Sequence, residues 1–372
     1  MFAKTDHKYM KRALELAAQG KGFTGSNPLV GAVITRNDEI IGEGYHAIYG
    51  GDHAEISAIK SALAKHDENM LKGATVYVNL EPCFHYGKTP PCVDKIIETG
   101  FARVVIAMRD PNPLVAGKSI SKLRAHGIEV KIGVLESEAR KLNEVFIHFM
   151  ETGKPFVCMK AAMSMDGKIA TSSGDSKWIS SEESRAETAK LRYEYQAIIV
   201  GINTVLADNP RLNTRIPGKP NPIKIIIDSR LRIPETANVL NNGEEEHTII
   251  YCASRKDGDT AKKERLNSLR NVSIVESKSD DGAVNLDAVM EDMARRGISS
   301  ALLEGGGTLN FSMIKAGFVQ KAIFVIAPKI IGGVESKSPV MGAGYEKVCD
   351  VPILHDISYY SVADDLFVEG YF

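Results

Sequence analysis

The chain has 372 residues, more than one hydrophobic core usually serves, so two domains are expected, residues 1–150 and 151–372. Hydrophobic residues make up 44% and charged residues 25%, ordinary for a soluble globular chain, and a net charge of −1 speaks against a broad footprint on nucleic acid. No apolar run approaches the ~20 residues that cross a bilayer, the start of the chain lacks an apolar signal core, and five cysteines form no disulfide framework, so a cytoplasmic protein with no membrane partner is expected.

In chain order, residues 8–19 place Met10, Leu14, Ala17 and Ala18 at helical spacing, with Thr5 and Asp6 as caps and Gly20 as the stop. Residues 29–34 read as a strand and 40–45 as its hairpin partner. Asn27 stands at that strand's mouth, before Pro28, either as a turn residue or as an amide that reads a heterocycle. Residues 53–64 are helical, 74–80 a strand, 92–99 a second helix and 104–107 a buried strand. Asp110 and Asn112 follow in a turn with Pro111 and Pro113, and a helix, a strand and a helix continue to about Phe149. This is the pattern of a three-layer α/β domain with one mostly parallel sheet.

The stretch from 53 to 92 carries the chemistry. It opens with His53-Ala54-Glu55 and closes with Pro82-Cys83 and Pro91-Cys92. One imidazole and two thiolates suit zinc and leave a fourth tetrahedral position for water. Glu55 would sit in the first turn of a helix, where it reaches that water and not the metal. A carboxylate so placed takes a proton from the water and delivers it to a departing amine. A structural site would need a fourth ligand instead, for which His46 or His85 is available. His-x-Glu followed by two Pro-Cys pairs is the signature of zinc nucleobase deaminases, except that the usual Cys-x-x-Cys is here Cys-x8-Cys. Seven of nine histidines lie before residue 150, which separates the chemistry of the two halves.

In the second half, a strand at 156–162 leads into Met163-Ser164-Met165-Asp166-Gly167-Lys168, and Trp178 is the only tryptophan. An amphipathic helix at 182–193 precedes a strand at 197–201 and a polar elbow at 203–210. Strands at 224–228, 248–252 and 272–276, a helix at 286–295 and a strand at 300–303 follow. Gly305-Gly306-Gly307 then opens a further helix, and the end of the chain is β-rich, with strands at 321–327, 359–363 and 366–369. A triple glycine between strand and helix is either a tight turn or a phosphate cradle of backbone N–H groups. It is not GxGxxG, so a Rossmann dinucleotide site is not supported.

Together these residues resemble the bifunctional riboflavin-biosynthesis deaminase/reductases, over nearly the whole chain. The first half is similar in Asn27-Pro28-Leu29-Val30-Gly31, His53-Ala54-Glu55, Glu81-Pro82-Cys83 through Cys92, and Asp110-Pro111-Asn112-Pro113; the long Cys-x8-Cys loop is this family's own. The second half is similar in Met163 to Lys168, Ser176-Lys177-Trp178-Ile179, Thr204 to Pro210 and Leu303 to Gly307.

The resemblance implies a cytidine-deaminase-like domain followed by a dihydrofolate-reductase-like α/β domain. Zn2+ would be held by His53, Cys83 and Cys92, with Glu55 catalytic. Asn27, His46, His85, Lys88, Asp110 and Asn112 would hold the ring and ribose phosphate. NADPH would lie along Ala162, Trp178, Thr204, Asp208, Ser229, Gly305, Gly306 and Gly307. Lys160, Ser176, Arg192, Leu212, Arg215 and Glu304 would hold the reductase substrate, the two arginines on its phosphate, with Lys160 and Asp208 as candidate proton donors. The expected partner is a small phosphorylated pyrimidine, the expected assembly a homo-oligomer. A nucleic-acid-editing deaminase would need a basic, aromatic-rich surface, which the near-neutral charge opposes. A zinc-stabilised binding module would have no use for Glu55.

Overall fold

The structure, a computed structural model, describes residues 3–84, 90–113, 115–241, 243, 246–254, 259–278 and 282–372. It divides into two compact units, Met1–Gly153 and Lys154–Phe372.

The first unit runs α1 (Lys4–Ala18), β1 (Gly31–Arg36), β2 (Glu39–Tyr45), α2 (Ala54–Leu63), β3 (Thr75–Leu80), α3 (Cys92–Thr99), β4 (Arg103–Met108), α4 (Lys118–Ala125), β5 (Glu129–Ile132), α5 (Glu136–Leu142) and α6 (Glu144–Thr152). Its strands pair in the order β2-β1-β3-β4-β5. The sheet is mixed, not mostly parallel: β1 is antiparallel to both β2 and β3, and only β3–β4 and β4–β5 are parallel. A tight turn with Asn37 and Asp38 both at positive φ returns β2 beside β1, whereas α3 and α4 provide the crossovers that parallel pairing needs. Two apolar layers cover the sheet. Ala58, Ile59, Ile96 and Leu123 from α2, α3 and α4 pack on one face, and Met10, Leu16, Ala139 and Ile147 from α1, α5 and α6 on the other.

Strand β1 starts at Gly31, later than residue 29, because side chains satisfy the backbone before it. Leu29 N–H donates to Asn143 Oδ1 at 2.8 Å, and its carbonyl accepts from Asn79 Nδ2 at 2.9 Å and Asn143 Nδ2 at 3.0 Å. Helix α2, which carries Glu55, lies close on β2: a Cβ at Gly44 would stand 2.3 Å from Ala58 N. We expect Gly44→Ala to cost the first unit about 1–3 kcal/mol in urea unfolding followed by circular dichroism.

Asp6, buried at the start of α1, accepts from Arg103 at 2.9 Å, Lys131 at 2.8 Å and Tyr77 at 3.1 Å. Burial alone would push its carboxyl up, but the two cations and the phenol outweigh it and hold it well below the usual carboxylate range. A depressed carboxyl contributes stability above its unfolded pKa, about 3.9, that is lost as pH falls through the folded value. Asp6→Asn should therefore cost about 2 kcal/mol at pH 7, with the difference from wild type shrinking below about pH 4. An equal cost at about pH 3 would show that the carboxylate charge is not what stabilises.

The second unit runs β6 (Phe156–Ser164), α7 (Glu182–Glu194), β7 (Ala197–Gly201), α8 (Ile202–Asp208), β8 (Ile223–Ile227), β9 (Thr248–Ala253), α9 (Thr260–Asn267), β10 (Val272–Ser277), α10 (Leu286–Arg295), β11 (Ser300–Leu303), α11 (Gly307–Lys315), β12 (Lys321–Ala327), β13 (His355–Val362) and β14 (Asp365–Tyr371). The sheet order is β10-β9-β8-β7-β11-β6-β12-β14-β13, parallel from β10 through β12 and antiparallel at β14 and β13. The expected elbow at 203–210 is largely α8: Ile202 and Val205 reach the core at helical spacing, and Asn209 ends the turn at φ 40°. Helix α7 buries Ser184 and Thr188 and not an apolar stripe. Helix α9 escaped the sequence because Leu266 is its one buried residue. Among the described residues no helix is long and apolar enough to cross a membrane.

Candidate active sites

Three elements deliver the first cluster. His53 is the N-cap of α2, Cys83 follows β3, and Cys92 begins α3. Their ligand atoms all lie within 4.8 Å of one another. His53 Nδ1 is 3.5 Å from Cys83 Sγ and 3.2 Å from Cys92 Sγ, close to the roughly 3.5 Å that tetrahedral zinc sets between an imidazole nitrogen and a thiolate. Cys92 N–H donates to Cys83 Sγ at 3.2 Å, so sulfur meets the N-terminus of α3. The Cys92 thiol and the His53 ring favour a thiolate at Cys83, and that charge in turn keeps Cys92 protonated. Two thiols and an imidazole of this geometry fit zinc. Deprotonating both thiols is what a dication would do.

Glu55, 4% exposed, faces the same cluster from the first turn of α2. Burial, followed by the charge at Cys83, pushes its carboxyl up to about 7. It shares a cavity of about 310 Å3 with Asn27, His46, His53, Cys83, Asp110 and Asn112. His46 Nδ1 lies 3.0 Å from the Asp52 carbonyl and can only donate there, so Nε2 accepts from Asn27 Nδ2 at 3.1 Å. That leaves the Asn27 Oδ1 to a ligand's N–H. His85 and Lys88 lie outside the described residues. The cavity is also lined by Glu81, quoted above only as part of the motif that leads to Cys83, and by Phe146, Phe149 and Met150 from α6, which no motif announces. The aromatic spacing on α6 reads in sequence only as a helix face.

In the second unit β7, β11 and β6 are neighbours, and their carboxyl ends form the crevice where open α/β sheets take ligands. Arg192 grips Glu304 bidentately, Nε–Oε1 at 3.1 Å and Nη2–Oε2 at 2.7 Å. Burial alone would raise the Glu304 carboxyl, but Arg192, Lys160 and Arg215 hold it at about 2. Burial also lowers the Lys160 ammonium. Three cations around one carboxylate leave an excess of positive charge that suits a phosphate dianion. The Leu212 side chain is packed in the core, so only its backbone, at φ 57°, is free to meet a ligand.

Across the crevice, Gly306 faces Thr204, whose Oγ1 would be 3.7 Å from an added Cβ. Helix α11 has no side-chain cap, so its first N–H groups stand open beside that gap. At Gly307 a Cβ would meet the Ser338 carbonyl at 2.5 Å. Trp178 is 59% exposed, with the Arg185 guanidinium 4.3 Å from its ring centre. Ser229 follows β8, where its Oγ accepts from Val284 N at 3.0 Å. Ala162 lies in β6, Ser176 is half-buried, and Asp208 is exposed on the last turn of α8. An uncapped helix start, a bare glycine turn and an exposed indole fit a dinucleotide.

The first unit is thus a zinc deaminase: residues 3–108 match the cytidine and deoxycytidylate deaminase zinc-binding region. Residues 155–368 match the RibD C-terminal domain. The chain belongs to the RibD family, bifunctional deaminase/reductases of riboflavin biosynthesis that use zinc in one domain and NADPH in the other. It is 44% identical over 365 residues to the riboflavin biosynthesis protein RibD of Actinobacillus pleuropneumoniae, covering 98% of this chain and 95% of that one. To RibD of Escherichia coli it is 38% identical, covering 93% and 94%. Among solved structures it superposes on the diaminohydroxyphosphoribosylaminopyrimidine deaminase/5-amino-6-(5-phosphoribosylamino)uracil reductase of Thermotoga maritima with TM-score 0.86, 36% identity and coverage of 99% and 98%. Acinetobacter baumannii RibD gives 0.87 at 35% identity, with 99% of both chains covered.

Proposed function

We propose that the two units act in succession on one phosphorylated pyrimidine. The first hydrolyses an amino group from 2,5-diamino-6-ribosylamino-4(3H)-pyrimidinone 5′-phosphate and releases ammonia. The second reduces the ribosyl group to ribityl, giving 5-amino-6-(5-phosphoribitylamino)uracil. The observation that carries this reading is the His53–Cys83–Cys92 cluster facing buried Glu55 in one cavity, in a chain that also holds the Lys160–Arg192–Arg215–Glu304 crevice.

His53, Cys83 and Cys92 would hold a zinc ion, which would supply Lewis acidity toward water. Glu55 takes the proton from the attacking water and returns it to the departing nitrogen, a task for which its buried place beside the His53–Cys83–Cys92 cluster suits it. Asn27 offers an acceptor to the ring, Asp110 and Asn112 bound the cavity beside it, and Phe146 and Phe149 keep water from the ring face. His85 and Lys88 belong to the same substrate set by resemblance.

In the second unit NADPH, once bound, would supply the hydride for the sugar's C1′. Thr204, Ser229, Trp178 and the turn from Gly305 to Gly307 would hold it. Arg192 and Arg215 bind the substrate phosphate and Glu304 orients them. Lys160 holds the proton that the reduction consumes; it is half-buried beside Glu304, whereas Asp208 is exposed one helix away.

Purified enzyme given the diaminopyrimidinone tests this with ammonia and NADPH followed together. Ammonia without cofactor, and NADPH consumption only afterwards, supports both halves and their order. Ammonia with no NADPH oxidation would reassign the second unit, and neither signal from zinc-loaded protein would overturn the whole reading.

The enzyme works in the cytoplasm, a setting that suits five cysteines with no disulfide among them. It assembles as a homo-oligomer through the sheet edge at β13, where Ile353, Ile357 and Tyr359 are 68%, 52% and 76% exposed. Light scattering that finds a monomer at micromolar concentration would refute the assembly.

A further inference from the structure

We propose that Glu81 is a positioning residue of the deaminase half: from outside the helix it caps α4 and so sets the Asp110–Asn112 turn against the cavity. The inference rests on the deaminase reading above.

Glu81 is 2% exposed, follows β3 directly and stands two residues before Cys83. Its Oε2 accepts from Gly117 N at 3.0 Å and from Asp110 N at 3.4 Å, and its Oε1 accepts from Ile120 N at 3.4 Å. Helix α4 needs this. Its N-cap is Gly117, with φ 77° and no side chain; Lys118 N–H donates to the Val115 carbonyl at 2.8 Å, but the Gly117 and Ile120 N–H groups look to Glu81. A carboxylate there is also favoured by the helix dipole. Among the described residues no cation pairs with Glu81, so backbone N–H groups balance its charge. Ser119 Oγ, donating to the Pro82 carbonyl at 2.6 Å, fastens the same junction.

The consequence reaches the cavity. Asp110 Oδ1 accepts from Asn112 N at 2.8 Å and closes a turn whose two side chains line the cavity beside Glu55. One carboxylate thus ties that turn, the start of α4 and the strand end that leads to Cys83. Glu81 is neither ligand nor proton carrier: the metal cluster is His53, Cys83 and Cys92, and the oxygens of Glu81 are already engaged by N–H donors. An amide in its place would set an NH2 group against a backbone N–H.

The test is a double-mutant cycle on zinc-loaded enzyme, with zinc content and reductase activity measured alongside. Glu81→Gln should keep zinc and reductase activity and lower deaminase kcat/KM about tenfold, mostly through KM. Asn112→Ala should lower it similarly, and the double variant should be little worse than either single. Additive losses, zinc loss from Glu81→Gln, or a Glu81→Gln enzyme equal to wild type would each overturn the proposal.

If Glu81→Gln does not fold, amide hydrogen exchange on the wild-type enzyme decides. The N–H groups of Gly117 and Ile120 should be protected although they precede or begin the helix, and fast exchange would overturn the cap. Exchange does not depend on turnover, so a wild-type enzyme that releases no ammonia would sink the deaminase reading and leave the cap to be judged by its own result.

Discussion

Glu55→Gln is expected to lower deamination by about 10³–10⁴-fold while zinc stays bound. The amide keeps the shape of the side chain and loses only the ability to carry a proton. His53, Cys83 and Cys92 are untouched, so metal content measured by atomic absorption should equal that of wild type. Supplied with deaminated substrate, the variant should reduce it at the normal rate, because Lys160, Arg192 and Glu304 lie in the other compact unit. Retained deamination would remove Glu55 from its role. Loss of both activities would show that the units do not work independently.

The second large effect is expected at Arg192. Arg192→Ala strips Glu304 of its bidentate partner inside the crevice and also frees the Asn213 carbonyl, which accepts from Nη1 at 3.2 Å. Taking one partner from a half-buried, hydrogen-bonded charge pair at a binding site costs about 3 kcal/mol, which as lost transition-state binding is about 10²-fold in reductase kcat/KM. Arg192→Lys should recover part of that, since it restores charge and loses the fork. Ammonia release should not change in either variant. A reductase indifferent to Arg192→Ala would mean that the cations around Glu304 do not serve the substrate.

Much of the first site was legible because its parts are close in sequence and chemically rare. His53, Glu55 and two Pro-Cys pairs fall within forty residues, and few arrangements of imidazole, carboxylate and two thiols serve any purpose but a metal. Asn79, Asn143 and Glu81 were not legible as supports, because an amide or a carboxylate at a strand end looks alike whether it meets solvent or a distant backbone. Asn143 reaches Leu29 across 114 positions and Glu81 reaches Gly117 across 36. The wall from α6 was hidden for a similar reason. Phe146, Phe149 and Met150 follow helical spacing, and spacing does not say whether a face covers a core or a cavity.

In the second unit the strands were readable from short β-branched runs, because a strand buried on both faces needs them. The triple glycine was ambiguous until its surroundings were known. Gly307 is closed in by Ser338 and Met341, and Gly306 opens toward Thr204. Only the family resemblance grouped Lys160, Arg192, Arg215 and Glu304; spacing could not, since they come from separate parts of the chain, and the three cations around one carboxylate emerged with the fold.

What the sequence by itself determined was a His53, Cys83 and Cys92 donor set that suits zinc, a carboxylate at Glu55 beside it, and the order of the strands in each half. These depend on local spacing and on side-chain chemistry that nothing else supplies. The tertiary structure alone decided that the first sheet is mixed, that the His46 tautomer turns the Asn27 carbonyl toward a ligand, and that Glu81 serves a helix it does not belong to. Each of those turns on which distant backbone N–H or C=O a buried polar group meets, and such a group must find a partner wherever the fold places one.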